Sequence, residues 1–318
     1  MAENSLRQNA EDFITYKRNL GYVYCGQDWI LKHYVDHAET VAEEISCPSK
    51  NVTDSFISQI SDSENTLYLA VCTLREFSRF LYIRGYKDAY IIPPKTVSLP
   101  VHEPPYFFTN DEIAALFIKI DAIMPIKAHK GREFVFPALF RLLYCCGLRC
   151  KEARTLESAN VHTAELYIDI IQSKGRKSRR IFISEELAEY LSEYEKNISL
   201  LFPNRKYYFP HGEGCYSKST ISYVFKKCWK NAFPDFIMGT RPRAYDLRHH
   251  FAWSNLNRWA AEGKDINVML PYLMRYMGHE SIQETLYYFH FVPEFFPTYK
   301  KLSASLEDIL PEVPDEKE

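Results

Sequence analysis

The segment RPRAYDLRHHF, residues 241–251, concentrates basic and imidazole side chains at the start of a predicted amphipathic helix. These side chains belong to Arg241, Arg243, Arg248, His249 and His250. Helix N-termini favour anions, and guanidinium groups bind phosphate oxygens through paired hydrogen bonds. The segment is therefore a candidate phosphate-binding site.

Farther along the chain, MGHESIQETLYYFH (277–290) joins two predicted helices. Gly278 is predicted to end the first helix, and Ser281 can cap the second one. His279 lies at the junction, and a pair of tyrosines, Tyr287 and Tyr288, lies near the end of the second helix. A tyrosine in an aromatic-rich helix is usually a core residue, so this segment alone does not identify a catalytic group.

Earlier in the chain than residues 241–251, the segment CGLRCKEAR (146–154) places an arginine at a helix junction. Gly147 is predicted to end one helix, and Arg149 to start the next turn, where it can present its guanidinium to a phosphate. Glu152, three residues later, can orient that guanidinium. The alternative is a local Arg–Glu pair on a surface helix.

A basic cluster follows in SKGRKSRRI (173–181). The β-like segments 165–173 and 178–184 flank it, which predicts a hairpin with a basic tip. Its cations are Lys174, Arg176, Lys177, Arg179 and Arg180. A basic tip can clamp a DNA backbone, and the alternative is a solvated turn.

Together and in this order, the four segments resemble the catalytic signature of the tyrosine recombinases, which include the phage integrases. That signature has an Arg in a G-L-R-x-x-E turn, a Lys in a β-hairpin, an H-x-L-R-H segment, and a Gly-His followed by a Tyr nine residues beyond the His. The matching residues are Gly147, Leu148, Arg149, Glu152, Lys174, Gly175, Lys177, Arg179, Tyr245 to His249, Gly278, His279, Thr285 and Tyr288. The nine-residue spacing from His279 selects Tyr288 over Tyr287. The resemblance extends over about 106–295.

The resemblance implies a metal-free DNA strand exchange that needs no cofactor. Tyr288 would attack a DNA phosphate and form a 3′-phosphotyrosyl link, and Lys174 would be the general acid. Arg149 and Arg248 would neutralise the phosphate, and His279 would donate it a hydrogen bond. The resemblance gives supporting roles to the remaining site residues. The hairpin cations Lys174, Arg176, Lys177, Arg179 and Arg180, together with Arg241 and Arg243, would contact DNA, and Glu152 and His249 would support the site.

Two features depart from the family pattern. Tyr245 occupies the position of the usual His in the third segment, and a phenol is a poor base near neutral pH because its ordinary pKa is ~10. This puts the accessory base in doubt. The second departure is the long spacing of 31 residues between Arg248 and His279.

The fold class implied is mainly α with a small β-hairpin, in two domains. Residues 1–92 are expected to form a helical core-binding domain and 107–300 a mixed α/β catalytic domain, with a tail at 301–318. The segment 93–106 is expected to be a linker, because 91–106 contains five prolines and no helical period. The helices expected from apolar spacing and turn signals cover about 27–45, 65–85, 134–146, 185–200, 217–231, 245–262, 266–277 and 281–290, together with one that opens at Thr109 or Asn110.

Composition and net charge do not by themselves indicate DNA binding. The formal net charge is −2, so local charge must carry DNA binding. Eight cysteines without zinc-finger spacing favour reduced thiols. With no apparent signal peptide or long apolar run, we expect a cytoplasmic protein without membrane contact. The resemblance to the tyrosine recombinases implies double-stranded recombination sites as partners, a homotetramer on paired sites and accessory recombination proteins, with 293–312 docked on a neighbouring subunit.

Three alternatives remain at this point. A type IB topoisomerase uses the same nucleophile and a similar pocket, but it relaxes supercoils. A catalytically idle DNA-binding protein of the same fold would account for Tyr245. A structural helical protein with coincidental motifs is the third. Integration, excision, inversion and resolution are all compatible with the signature.

Overall fold

The computed structural model describes residues 4–41, 45–60, 63–98, 104–171, 178–236, 241–281 and 284–285. The chain divides into two compact units, Met1–His102 and Glu103–Glu318. The domain boundaries expected from the sequence stay a prediction. The described residues of 91–106 contain neither helix nor strand.

Unit 1 is helical in its described part, as the sequence predicted. Its helices are α1 (Leu6–Asn19), α2 (Cys25–Val41), α3 (Lys50–Gln59) and α4 (Glu64–Ile83). Apolar residues at helical spacing on α4, among them Leu74 and Phe77, are completely buried. Phe77 packs on Phe13 of α1 with a ring-centroid distance of 5.4 Å. The apolar stripe that predicted α4 is therefore the face that forms the core of this unit.

Unit 2 surrounds one central helix with further helices and a small sheet. Its elements are α5 (Asn110–Asp121), α6 (Arg132–Cys146), α7 (Cys150–Arg154), a 3-10 turn (Ser158–Asn160), β1 (Val161–His162), β2 (Tyr167–Ile170), β3 (Arg179–Phe182), α8 (Glu185–Leu201), β4 (Pro210–His211), β5 (Gly214–Cys215), α9 (Lys218–Ala232), α10 (Asp246–Ala261) and α11 (Ile266–Met277). Helix α6 contacts α5, α7, α8 and α10, and it is buried on most of its surface. A helix that is apolar around most of its circumference belongs at the centre of a domain.

The start of α5 confirms the predicted cap and selects Thr109 over Asn110. The Thr109 hydroxyl accepts from the backbone N–H of Glu112 at 3.2 Å, and the Glu112 carboxylate accepts from the N–H of Thr109 at 2.8 Å. This reciprocal pair satisfies two amide donors that a helix start leaves without intrahelical partners. It marks the point at which the chain enters unit 2.

The sheet of unit 2 differs in detail from the predicted hairpin. Strands β2 and β3 pair antiparallel as expected, with Asp169 opposite Arg180, but both are shorter than predicted. The additional strand β1 pairs with β2 and makes the sheet three-stranded. With two residues, β1 is too short to show the alternation that identifies a strand in a sequence. The hairpin tip, 172–177, lies outside the described residues.

The remaining predicted helices agree with α2, α4, α6 and α8–α11 to within a few residues. The fold class predicted from the sequence, mainly α with a small sheet, is therefore confirmed. The helix predicted at 281–290 lies largely outside the described residues. The segment 293–312 and the tail 301–318 lie wholly outside them. Within the described ranges, no helix has the length and apolar character needed to cross a membrane.

Candidate active site

Two helices of unit 2 end at glycines, and these two turns form the frame of the site. Helix α6 ends at Gly147 with φ +58°, and α11 ends at Gly278 with φ +67°. Both are left-handed conformations, which cost other residues about 1–2 kcal/mol. Both helix ends were predicted from the sequence. Arg149 and His279 follow directly after these turns.

Arg248 of α10 joins the two turns. Its guanidinium is 1% exposed. Nη1 donates to the carbonyl of Gly147 at 2.5 Å, and Nη2 donates to the carbonyl of Met277 at 2.9 Å. Charge-assisted hydrogen bonds to both helix ends compensate for the loss of water around this cation. Arg248 therefore holds the Gly147 turn against the end of α11.

Arg149 makes a second connection between the turns. Its Nη2 donates to the carbonyl of Gly278 at 2.6 Å. Its Nη1 donates to Glu152 Oε1 at 3.0 Å, and its backbone N–H donates to Glu152 Oε2 at 2.9 Å. The predicted Arg149–Glu152 pairing is thus present. It is not a surface pair, since the Glu152 side chain is only 5% exposed.

Arg179 of β3 faces this cluster, contrary to the expectation that it belongs to an exposed basic tip. Its Nη1 and Nη2 donate to the two Glu152 oxygens at 3.0 and 2.9 Å. Its Nε donates to the carbonyl of Tyr276 at 2.7 Å, and the side chain is 10% exposed. Strand alternation explains this placement, because residue 179 shares a face with the buried Ile181. That alternation was the sequence signal that could have identified an inward Arg179.

The end of α11 is consequently held by three arginines. The carbonyls of Tyr276, Met277 and Gly278 accept from Arg179, Arg248 and Arg149, respectively. The last carbonyls of a helix lack intrahelical donors and lie at the negative end of its dipole, so cations stabilise them. The three guanidinium groups therefore fix the position of the end of α11, and with it the position of His279.

His279 is a neutral side chain in this setting. Burial lowers the pKa of its imidazole to about 3, and the nearby positive charge of Arg248 acts in the same direction. Nδ1 lies 2.7 Å from the hydroxyl oxygen of Thr285, which is fully buried. If the Thr285 hydroxyl donates to Nδ1, the ring proton resides on Nε2. His279 can then donate one hydrogen bond to an anion without carrying a charge.

The remaining residues of the segment 241–251 lie at or near the start of α10. Tyr245 precedes the helix and is 45% exposed, and its ring centroid lies 4.7 Å from that of His249. Burial lowers the pKa of His249 to about 4. Asp246 is completely buried and accepts from the backbone N–H and the guanidinium of Arg243. The expected DNA contact Arg243 is thus paired with a buried carboxylate at the start of α10.

The other predicted DNA-contacting residues are dispersed. Arg180 pairs with Asp169 across the strands at 2.8 and 2.9 Å and covers the Tyr167 ring. Like Arg179, it therefore has protein partners that the sequence analysis did not foresee. Arg241 is exposed. The predicted nucleophile and the rest of the hairpin cluster, Tyr288, Lys174, Arg176 and Lys177, lie outside the described residues.

His250 is a core residue. Its Nε2 lies 3.0 Å from the Ser254 hydroxyl, and its ring stacks on Tyr144 at a centroid distance of 5.6 Å. Burial lowers the pKa of His250 to about 4. Among the described residues, no group of three or more His, Cys, Asp and Glu side chains is placed to hold a metal ion. The functional groups that the structure describes at the two glycine turns are guanidinium groups and a neutral imidazole, a donor set suited to a phosphodiester.

Comparisons with known proteins agree with this reading. The sequence model described as the phage integrase family matches residues 107–294. The protein y4rE of Sinorhizobium fredii, whose name describes it as an integrase/recombinase, is 24% identical over 289 residues, covering 89% of this chain and 91% of its own. Tyrosine recombinase XerC of Lactobacillus delbrueckii subsp. bulgaricus is 26% identical over 243 residues, covering 72% of each chain.

Among solved structures, the XerH site-specific recombinase bound to a palindromic difH substrate, in a post-cleavage complex, has the same fold. The TM-score is 0.62 at 16% identity, over 89% of this chain and 79% of that one. The chain belongs to the phage integrase family, the family of tyrosine recombinases. The family predicted from the sequence is confirmed, and with it the enzyme class, a site-specific recombinase.

Proposed function

We propose that this recombinase exchanges DNA strands at specific sites through a 3′-phosphotyrosyl intermediate formed by Tyr288. The observation that carries the proposal is the convergence of Arg149, Arg248 and His279 on two glycine turns. Arg149 reaches Gly278 across 129 positions of sequence, and Arg248 reaches Gly147 across 101. Residues so distant in sequence lie close together in the fold, and this proximity supports a common role at one phosphate.

Binding of the scissile phosphate is the first step of the proposed mechanism. As the phosphodiester is attacked, negative charge grows on its two non-bridging oxygens. Arg149 and Arg248 offset this charge with permanent positive charges, and their position is set before DNA arrives. His279 adds a neutral donor through Nε2, which binds an oxygen without repelling the neighbouring guanidinium groups.

Cleavage exchanges one P–O bond for another. The phenol oxygen of Tyr288 forms the new bond to phosphorus and releases its proton to water. The bond from phosphorus to the DNA 5′-oxygen breaks, and Lys174 protonates the leaving oxygen. Attack by a 5′-hydroxyl of a partner duplex reverses the step, so strands rejoin without a nucleotide cofactor. Tyr245 replaces the family's usual histidine, and we expect it to bind a phosphate oxygen as a donor and not to act as a base.

The proposed partners are two double-stranded recombination sites bound by four copies of the chain, with accessory recombination proteins in some reactions. The names of y4rE and XerC support a role in DNA integration or recombination, and the XerH complex supports DNA as partner. We propose the integration, excision or transposition of a mobile element in the cytoplasm. Because the net charge is −2, DNA contact must depend on local cations such as Arg241 and the hairpin tip.

A suicide-substrate trap tests the proposal. The protein is incubated without metal with duplexes selected from a pool for binding, each nicked at a different position. Where the nick lies beside the scissile phosphate, the short cleaved strand diffuses away and the covalent complex accumulates. Denaturing gels then compare the wild type with Tyr288→Phe and with the matched control Tyr287→Phe. We expect a covalent band that only Tyr288→Phe abolishes.

Other outcomes point to the competing functions. Specific DNA binding without a wild-type covalent band would favour a catalytically idle protein, and it would assign the defect to Tyr245. Relaxation of supercoiled DNA carrying a single site, without strand exchange between paired sites, would favour a type IB topoisomerase. A band that is lost with Tyr287→Phe and kept with Tyr288→Phe would refute the assignment of the nucleophile.

A further inference from the structure

Arg179 is the one arginine of the site to which the proposed chemistry gives no task. The sequence places it among hairpin cations that would contact DNA, but its donors point into the protein. All three guanidinium nitrogens donate within unit 2, to the Glu152 carboxylate and the Tyr276 carbonyl. The side chains of Arg179 and Glu152 are 10% and 5% exposed.

The Glu152 carboxylate is shared between two arginines. Oε1 accepts from Nη1 of both Arg149 and Arg179, at 3.0 Å each. Oε2 accepts from the backbone N–H of Arg149 and from Nη2 of Arg179, at 2.9 Å each. A paired fork of this kind fixes the plane of the carboxylate as well as its position. Since the same carboxylate holds Nη1 of Arg149, its orientation sets the direction in which that guanidinium points.

Gly278 shows how closely Arg179 approaches the end of α11. A Cβ atom at Gly278 would lie 2.8 Å from Nη1 and 3.0 Å from Cζ of Arg179. The guanidinium therefore covers the α-carbon of the residue that precedes His279. The carbonyl of the same glycine accepts from Arg149 at 2.6 Å. Arg179 thus contacts the Glu152 carboxylate as well as the glycine turn that carries His279.

We propose that Arg179 is a positioning residue for strand cleavage. It fixes Glu152 and the end of α11, so that Arg149 and His279 meet the scissile phosphate in one geometry, and it does not bind the DNA backbone. The inference rests on the proposed function. A DNA contact by Arg179 would require its guanidinium to leave a nearly buried carboxylate, which is unfavourable.

Arg205 is the matched control. It follows α8, its side chain is 5% exposed, and its guanidinium donates to Glu195 and Ser199, away from the proposed chemistry and the expected DNA contacts. Two quantities are measured for Arg179→Lys and Arg205→Lys: the affinity for a nicked duplex with its dependence on salt concentration, and the single-turnover rate of covalent complex formation. Lysine keeps the charge and removes the planar fork.

For Arg179→Lys we expect DNA affinity within about twofold of the wild type, an unchanged salt dependence and a cleavage rate about 100-fold lower, because small displacements of catalytic groups cost about that much. For Arg205→Lys we expect a DNA affinity and a cleavage rate within about twofold of the wild type. The double variant Glu152→Gln with Arg179→Gln should cleave DNA no more slowly than the slower of the two single variants. Each single change already breaks the same Arg179–Glu152 pair, so the second change should add no further loss. Urea unfolding confirms that each variant is folded in the assay.

Several results would overturn the inference. An Arg179→Lys variant that cleaves at the wild-type rate would show that the fork is not needed. Loss of affinity with a smaller salt dependence would make Arg179 a DNA contact. Additive losses from Glu152→Gln and Arg179→Gln would separate the two residues. A wild type that binds DNA and forms no covalent complex would instead refute the proposed function itself, and the positioning role would fall with it.

Discussion

Replacement of Gly147 by alanine tests whether the frame of the site depends on a missing side chain. The residue has φ +58°, and an added Cβ would lie 2.4 Å from Cδ1 and 2.8 Å from Cγ of Phe251. The Phe251 ring stacks on Tyr276 with a centroid distance of 5.6 Å and an interplanar angle of 20°, so it cannot move alone. The backbone, the ring or both must shift to accommodate the methyl group.

The expected cost has two parts. The left-handed conformation costs alanine about 1 kcal/mol relative to glycine. Overpacking against a ring that is itself packed adds about 1–3 kcal/mol. Gly263 separates the two parts, because it has φ +67° and no atom within 4 Å of an added Cβ. Gly263→Ala should therefore show the conformational cost alone.

Urea and thermal unfolding of the full chain measure both variants. We expect Gly147→Ala to unfold at a lower Tm than Gly263→Ala by several degrees, since about 1 kcal/mol corresponds to roughly 2–4 °C in a domain of this size. We also expect slower covalent complex formation, because the carbonyl of Gly147 accepts from Arg248. The double variant Gly147→Ala with Phe251→Ala should lose less free energy of unfolding than the sum of the losses in the two single variants, because the ring that meets the added Cβ is gone. Equal destabilisation by Gly147→Ala and Gly263→Ala would refute the reasoning.

Three further predictions concern the helix cap, the altered base and the buried histidines. Thr109→Ala should lower the free energy of unfolding by about 1 kcal/mol, measured with urea, and Thr109→Ser should retain most of it; equal losses would contradict a hydroxyl cap. Tyr245→His should raise the single-turnover cleavage rate near neutral pH by about tenfold or more, because it restores an imidazole at the family position; a slower variant would show that the phenol has its own role. Burial lowers the folded-state pKa of His279 to about 3 and of His249 and His250 to about 4, below the usual 6.5 of the unfolded chain. The unfolded chain then takes up protons first as the pH falls, so stability is lost between about pH 6.5 and 4, by about 1–2 kcal/mol per histidine at pH 5 after allowance for partial exposure; an unchanged urea midpoint between pH 7.5 and 5 would contradict this.

Local patterns were sufficient for most of the helices and for the ends that frame the site. The apolar spacing of α4 predicted a helix because a stripe of large side chains must be buried on one face. Thr109 or Asn110 marked the start of α5, and Gly147 and Gly278 marked helix ends, because each signal acts within one turn of chain. Strand β1 escaped prediction because two residues carry no period. The family followed from the order and spacing of the four segments, which is a property of the linear sequence.

The partners of the arginines depended on the tertiary structure. Arg179 and Arg180 are adjacent cations in the sequence, and alternation along a strand can place them on opposite faces. The packing of β3 decides that Arg179 meets Glu152 and that Arg180 meets Asp169. Arg248 joins carbonyls that are separated from it by 101 and 29 positions. A guanidinium binds whichever acceptors the packed helices bring to it, and such acceptors are backbone carbonyls that every residue possesses. The chain by itself therefore determined which residues could bind a phosphate, whereas the packing of α6, α10 and α11 decided which acceptors each guanidinium contacts.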